Sequence, residues 1–103
     1  MKLIIVAGAL AMLPIAGFAQ SPDPNLARNL AATCANCHGT DGRSAGGIPS
    51  LAGVPKEQIV ERMKEFKDGK RTATIMHQIA KGYSDPQIDM MAGYFAAQKK
   101  GTP

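Results

Sequence analysis

Cys34-Ala35-Asn36-Cys37-His38 is the stretch on which the reading of this chain turns. Two thiols three positions apart, followed at once by an imidazole, form the C-x-x-C-H signature of c-type haem attachment. Each thiol can add to one vinyl group of a single haem, and the histidine that follows is then held beside the iron. Covalent attachment and axial ligation come from one turn of chain. The sequence has two cysteines in all, so the motif uses both.

Other chemistries draw on the same residue types. A thioredoxin-like C-x-x-C needs a βαβ surround, and the sequence offers no strand of alternating Val, Ile and Thr. A zinc site would have to combine Cys34, Cys37, His38 and the distant His77, whereas four-ligand zinc sites come as two spaced pairs. A disulfide across two intervening residues is strained and leaves His38 without a role.

Working outward towards the N-terminus, Met1-Lys2 is a short basic start, Leu3 to Pro14 is an uncharged apolar run, and Gly17-Phe18-Ala19 places small residues where a signal peptidase reads. This is the layout of a secretory signal peptide over residues 1–19, with cleavage after Ala19 and export to the periplasm. The run is short and Gly/Ala-rich for a membrane span. Removing it leaves 84 of the 103 residues, one domain over 20–103, and lowers the formal charge from +4 to +3 through loss of Lys2. That modest charge, with no basic stripe, points away from nucleic acid. A chain this short buries a limited core and needs a staple. The mature part contains no Trp and few large apolar residues. An apolar cofactor at its centre would supply the missing core.

Apolar spacing then gives helices. Asp23 and Pro24 read as a cap and a first helical position. Leu26, Ala27, Leu30 and Ala31 form a stripe up to Thr33, which puts the haem motif at the end of a first helix. Residues 39–53 read as a Gly- and Ser-rich loop. Pro55 opens a second helix with Ile59, Val60, Met63 and Phe66 on its buried face, stopped at Asp68-Gly69. Residues 75–81 make a short helical turn ending at Gly82. Ser84-Asp85-Pro86-Gln87 is a capping box for a last helix to about Gln98, with Ile88, Met91, Ala92 and Phe95 on one face. The expected architecture is all-α, three main helices and a short one around one covalent haem.

The ordered combination of these motifs resembles the class I cytochromes c over nearly all of residues 24–98. Cys34 to Gly42 is similar to that family's haem turn, Ile48-Pro49-Ser50-Leu51-Ala52-Gly53 to its Pro-x-Leu loop, and Tyr94-Phe95 to its C-terminal aromatic pair. Within the class, Phe66 to Arg71 followed by Met76 resembles single halves of dihaem respiratory cytochromes c and the haem subunit of flavocytochrome c sulfide dehydrogenases. Thr74-Ile75-Met76 and Ile79 to Asp85 lean towards the latter.

The resemblance implies a methionine sulfur opposite His38, a pairing that raises the reduction potential. Met63 and Met91 fit helical core faces and Met90 flanks one, whereas Met76 lies in the segment the family uses. His77 beside it reads as an exposed helical histidine, pointing roughly 100° away from Met76. The resemblance also gives the Pro49 carbonyl to the ring nitrogen of His38 that faces away from iron, a contact that orients the ring. Leu51, with Ile48, Ile59 and Ile79, is a candidate haem-packing residue.

With both axial positions taken by protein, no position is open for substrate, and outer-sphere electron transfer follows. A peroxidase would need acid–base groups that the sequence does not supply. Two readings stand: the haem subunit that accepts electrons from a sulfide-oxidising flavoprotein, and a free soluble carrier. A free carrier should present a charged ring for steering, for which Lys56, Lys64, Lys67, Lys70, Arg71 and Lys81 are available. A stable subunit should show an apolar contact patch.

Overall fold

The computed structural model describes residues 23–100, together with residues 3, 8, 9, 11 and 12. The expected cleavage point after Ala19, and most of the expected signal segment, lie outside the described residues. Five helices follow one another: α1 (Leu26–Ala31), α2 (Ala35–His38), α3 (Lys56–Lys67), α4 (Met76–Lys81) and α5 (Asp85–Ala96), with a 3-10 turn at Thr40–Gly42 between α2 and α3. Among the described residues there is no strand, and no helix is long and apolar enough to cross a membrane.

The helix starts obey their local chemistry. Asp23 Oδ1 accepts the Asn25 N–H at 2.8 Å ahead of α1, so the aspartate supplies one of the acceptors a helix start lacks. At α5 the full capping box forms. Ser84 Oγ accepts Gln87 N–H at 3.3 Å, and Gln87 Oε1 accepts Ser84 N–H at 2.9 Å, an arrangement that contributes about 1 kcal/mol. Pro55 precedes α3, and its carbonyl takes the N–H groups of Gln58 and Ile59.

One difference from the sequence expectation concerns the first helix. It does not run on into the haem motif. Beyond Ala31 the backbone tightens to three-residue bonds, Cys34 N–H to Ala31 O and Ala35 N–H to Ala32 O. The motif then occupies α2, a separate single turn. The last helix likewise ends at Ala96, with Gln98 in the turn beyond.

α5 is the spine. Its face of Ile88, Met91, Ala92 and Phe95 is at most 3% exposed, as the i, i+3, i+4, i+7 spacing requires of a core-facing helix. α1 packs on α5, α5 on α3, and α3 on α4. Ile59 and Met63 of α3, Ala31 of α1 and Ala80 of α4 complete the core, with Leu30, Val60, Phe66, Met76 and Tyr83 packed around it. Among the described residues, Phe95 and Ile88 are the large side chains that are fully buried. That is a small core, and it leaves Ile48 and Ile75 44% and 56% exposed. The protein alone does not cover them.

Candidate functional site

Both cysteine thiols are free. Cys34, on the turn before α2, is half-buried, and Cys37 within α2 is exposed. Burial pushes the Cys34 thiol above the usual thiol range, an effect partly opposed by its hydrogen bonding near Thr33. Cys37 lines a cleft of about 300 Å³ with Ala35, Gly39 and the loop from Ser44 to Ile48. A larger groove of about 400 Å³ runs over Lys56, Val60, Glu61, Lys64 and Asp89 and shares no residue with the motif.

His38 ends α2, and the chain must turn sharply after it. Gly39 makes that turn at φ 88°, where an added Cβ would collide with the Arg43 carbonyl oxygen. The turn carries the chain round to a loop whose Pro49 carbonyl lies 2.7 Å from His38 Nδ1. A carbonyl oxygen can only accept, so Nδ1 carries a proton, and in the neutral ring Nε2 then keeps its lone pair. That is the tautomer a metal-binding imidazole needs, oriented by its other nitrogen.

The loop that holds Pro49 is anchored on both sides. Ser50 Oγ accepts the Ser44 N–H at 2.9 Å. The Gly42 carbonyl accepts the N–H groups of Leu51 and Ala52 at 2.8 and 3.2 Å, and the Phe95 carbonyl accepts the Gly53 N–H at 2.9 Å. Leu51 packs against the core cluster, so it holds the loop in place whatever else it touches. Gly42 sits so tightly that a Cβ would come within 2.8 Å of the Phe95 ring and 2.9 Å of Ala52 N.

Met76 is carried separately, as the first residue of α4, half-buried and packed on the core. His77 departs from the sequence expectation: it is half-buried, and its Nδ1 is buried without a hydrogen-bond partner among the described residues. α4, which carries it, packs on α3. A buried polar atom without a partner is costly, and one adjoining Met76 is consistent with a site completed by a polar-edged group. Ile59 is a core residue at 8% exposure, whereas Ile79 is half-buried and Ile48 exposed.

Two hydroxyl contacts had no signal in the sequence beyond the residues themselves. Thr33 Oγ1 and Tyr83 OH share a hydrogen bond at 2.7 Å, tying the residue before Cys34 to the chain beyond α4. Tyr94 OH donates to Asp41 Oδ1, tying α5 to the 3-10 turn beyond His38. The Asp41 carboxylate raises the Tyr94 phenol above its usual range. Arg43 joins Asp41 through Nη1 at 3.5 Å and donates from Nε to the Lys99 carbonyl at 2.9 Å.

The residues fit covalent haem. The thiols are unpaired, one of them opens on a cleft, the imidazole presents Nε2, and apolar side chains on both the Pro49 loop and the Met76 segment are left uncovered.

Comparison with known proteins agrees with the geometry. The family model described as Cytochrome c matches residues 26–99. The cytochrome subunit of sulfide dehydrogenase of Chlorobaculum tepidum is 45% identical over 71 residues, 69% of this chain and 64% of that protein. Cytochrome c4 of Pseudomonas aeruginosa is 43% identical over 70 residues, 67% of this chain and 35% of that protein. The chain therefore spans less than two thirds of the length of these relatives. The solved structure of Acidithiobacillus ferrooxidans cytochrome c4 superposes with a TM-score of 0.63 at 32% identity, covering 69% of this chain and 48% of that one.

Proposed function

The chain belongs to the cytochrome c family, and on that premise we propose that it is the haem-bearing electron acceptor of a sulfide-oxidising flavoprotein in the periplasm. Its function is electron transfer with covalent haem c; it is a carrier and not a catalyst by itself. The observation that carries the finer assignment is the 45% identity to a sulfide dehydrogenase cytochrome subunit.

In this reading Cys34 and Cys37 would take the thioether bonds, and His38 Nε2 and the Met76 sulfur would hold the iron. The haem held there would supply one-electron exchange between ferric and ferrous iron, at a potential that a His/Met pair would raise. The chain's residues do the rest. The Pro49 carbonyl holds the His38 proton on Nδ1 at 2.7 Å, so the ring need not reorient when the electron arrives. Leu51 keeps the Pro49 loop on the core. Ile48 and Ile75 are the apolar surface that a bound group would cover.

The pattern of surface charge supports the subunit reading. Of the cations available for a steering ring, Lys56 pairs with Asp89 at 3.0 Å, Lys67 with Asp85 at 3.7 Å and Arg71 with Glu65 at 2.8 Å. The field they can project is correspondingly reduced. Lys64, Lys70 and Lys81 form no ion pair among the described residues, and they are the observation that keeps a free soluble periplasmic carrier as the second reading.

Purification from the native source separates the two readings. Co-elution with a flavoprotein supports the subunit, and a lone small haem protein defeats it. A haem-mass increment on the denatured protein tests attachment at Cys34 and Cys37. The N-terminal layout supports export, and N-terminal sequencing of the mature protein tests it: a Met1 start would overturn cleavage after Ala19.

A further inference from the structure

Asp41 holds a backbone conformation that an L-residue with a Cβ seldom adopts, φ 54° and ψ 23°. Among non-glycine residues Asn and Asp are those that tolerate this region, and such strain persists where surrounding contacts over-determine it. Here two contacts do so: the Tyr94 hydroxyl on Oδ1 and the Arg43 guanidinium on Oδ2. The carboxylate stands three residues beyond His38, and the phenol stands on the last turn of α5.

From Asp41 a short series of contacts leads back to the imidazole. The next residue is Gly42, wedged against the Phe95 ring. The Gly42 carbonyl takes two N–H groups, those of Leu51 and Ala52, and the Phe95 carbonyl takes a third from Gly53. Pro49 is two residues before Leu51, and its carbonyl accepts the His38 Nδ1 proton. Tyr94 and Phe95 are neighbours on α5 with rings edge to face, 5.6 Å between centroids. One holds the start of the loop and the other holds its end.

We propose that Tyr94 and Asp41 are a positioning pair for His38: the Tyr94–Asp41 hydrogen bond sets the Gly42–Leu51 register that places the Pro49 carbonyl on the imidazole, and so tunes the electron-donating strength of Nε2. Neither residue touches the haem in this role, which presupposes that His38 is the iron ligand. A firm Nδ1–H···O bond makes an imidazole more basic and stabilises the ferric state. Loosening it moves the potential upward.

The test uses the haem-loaded full protein and two readouts. One is the midpoint potential; the other is the solvent-exchange rate of the His38 Nδ1 proton, followed by NMR in the ferrous state. Tyr94→Phe keeps the ring and removes the hydroxyl. It should raise the potential and speed the exchange about tenfold, the equivalent of one modest hydrogen bond. Asp41→Ala should move both values the same way and at least as far, because it also removes the Arg43 contact, and adding Tyr94→Phe to it should change neither value further, because the phenol's partner is already gone. Asp41→Asn still accepts from the phenol and still tolerates the left-handed conformation, so it should restore both values. The pair has no positioning role if Tyr94→Phe leaves potential and exchange unchanged in a protein that still carries haem. An Asp41→Asn variant that behaves as Asp41→Ala would overturn it too, by assigning the effect to charge. Absence of the haem-mass increment would instead break the ligation reading itself.

Discussion

Residues 33–54 and residues 70–83 carry the two candidate iron ligands, and they are held in very different ways. Around His38 almost every turn of chain is tied to another. The ring is held by Pro49, the Pro49 loop by Gly42, Ser50 and Phe95, and the 3-10 turn by Tyr94. Around Met76 the ties are few. Among the described residues no backbone N–H from Thr72 to Ile75 donates to a backbone carbonyl, Ile75 is 56% exposed, and His77 Nδ1 is buried without a partner. The Thr33–Tyr83 bond is the one side-chain tie from this region back to the haem motif. The difference teaches that the fold orients the histidine through many ties, while it holds the methionine segment through few.

The comparison can be broken at its strongest point first. Phe95→Ala removes a side chain 2% exposed that supports Gly42, and about 3–5 kcal/mol of stability should go with it, read by denaturant unfolding of the holoprotein. A loss below 1 kcal/mol, on the order of a surface change, would mean that α5 does not hold the His38 region. Met76→Ala should cost less, about 2 kcal/mol for a half-buried methionine, yet abolish the visible-range signature of iron–sulfur ligation. Survival of that signature in Met76→Ala, with its loss in His77→Ala or Met63→Ala, would move the second ligand. Ser84→Ala removes the cap of α5 just beyond the methionine region, and should cost about 1 kcal/mol with the iron–sulfur signature intact.

The smallest effect is a pH dependence. The Tyr94 phenol is raised in the folded state because its protonated hydroxyl donates to Asp41. Its contribution is therefore complete below the ordinary phenol range and is lost as pH rises through the raised folded value. Thermal unfolding of the wild type should fall off over that alkaline window more steeply than that of Tyr94→Phe. Parallel curves would show that the bond adds no pH-dependent stability. Amide exchange sharpens the same contrast without mutation: Leu51, Ala52 and Gly53 should exchange more slowly than residues 72–75. The reverse order would remove the distinction between the two regions.

Local signals in the sequence carried far in this chain. C-x-x-C-H is chemistry written in five consecutive residues, and neither folding nor packing is needed to read it. The Ser84–Gln87 box and the Ile88, Met91, Ala92, Phe95 face repeat at helical spacing, so α5 and its buried side are legible from periodicity alone. The family resemblance extended this to Pro49, whose carbonyl does lie on His38 Nδ1. What the sequence could not supply are contacts between residues far apart along the chain. Thr33 meets Tyr83 across 50 residues, and Asp41 meets Tyr94 across 53. No motif links them, because each pairing depends on how packing brings distant segments of the chain together. His77 is the same lesson in reverse. Its neighbours along the sequence read as those of a surface residue, and the folded chain buries its ring nitrogen. By itself the sequence determined that this protein carries haem on a small helical frame, since attachment and helix formation are short-range. The tertiary structure alone decided how firmly each ligand is held, since that depends on which distant side chains packing brings together.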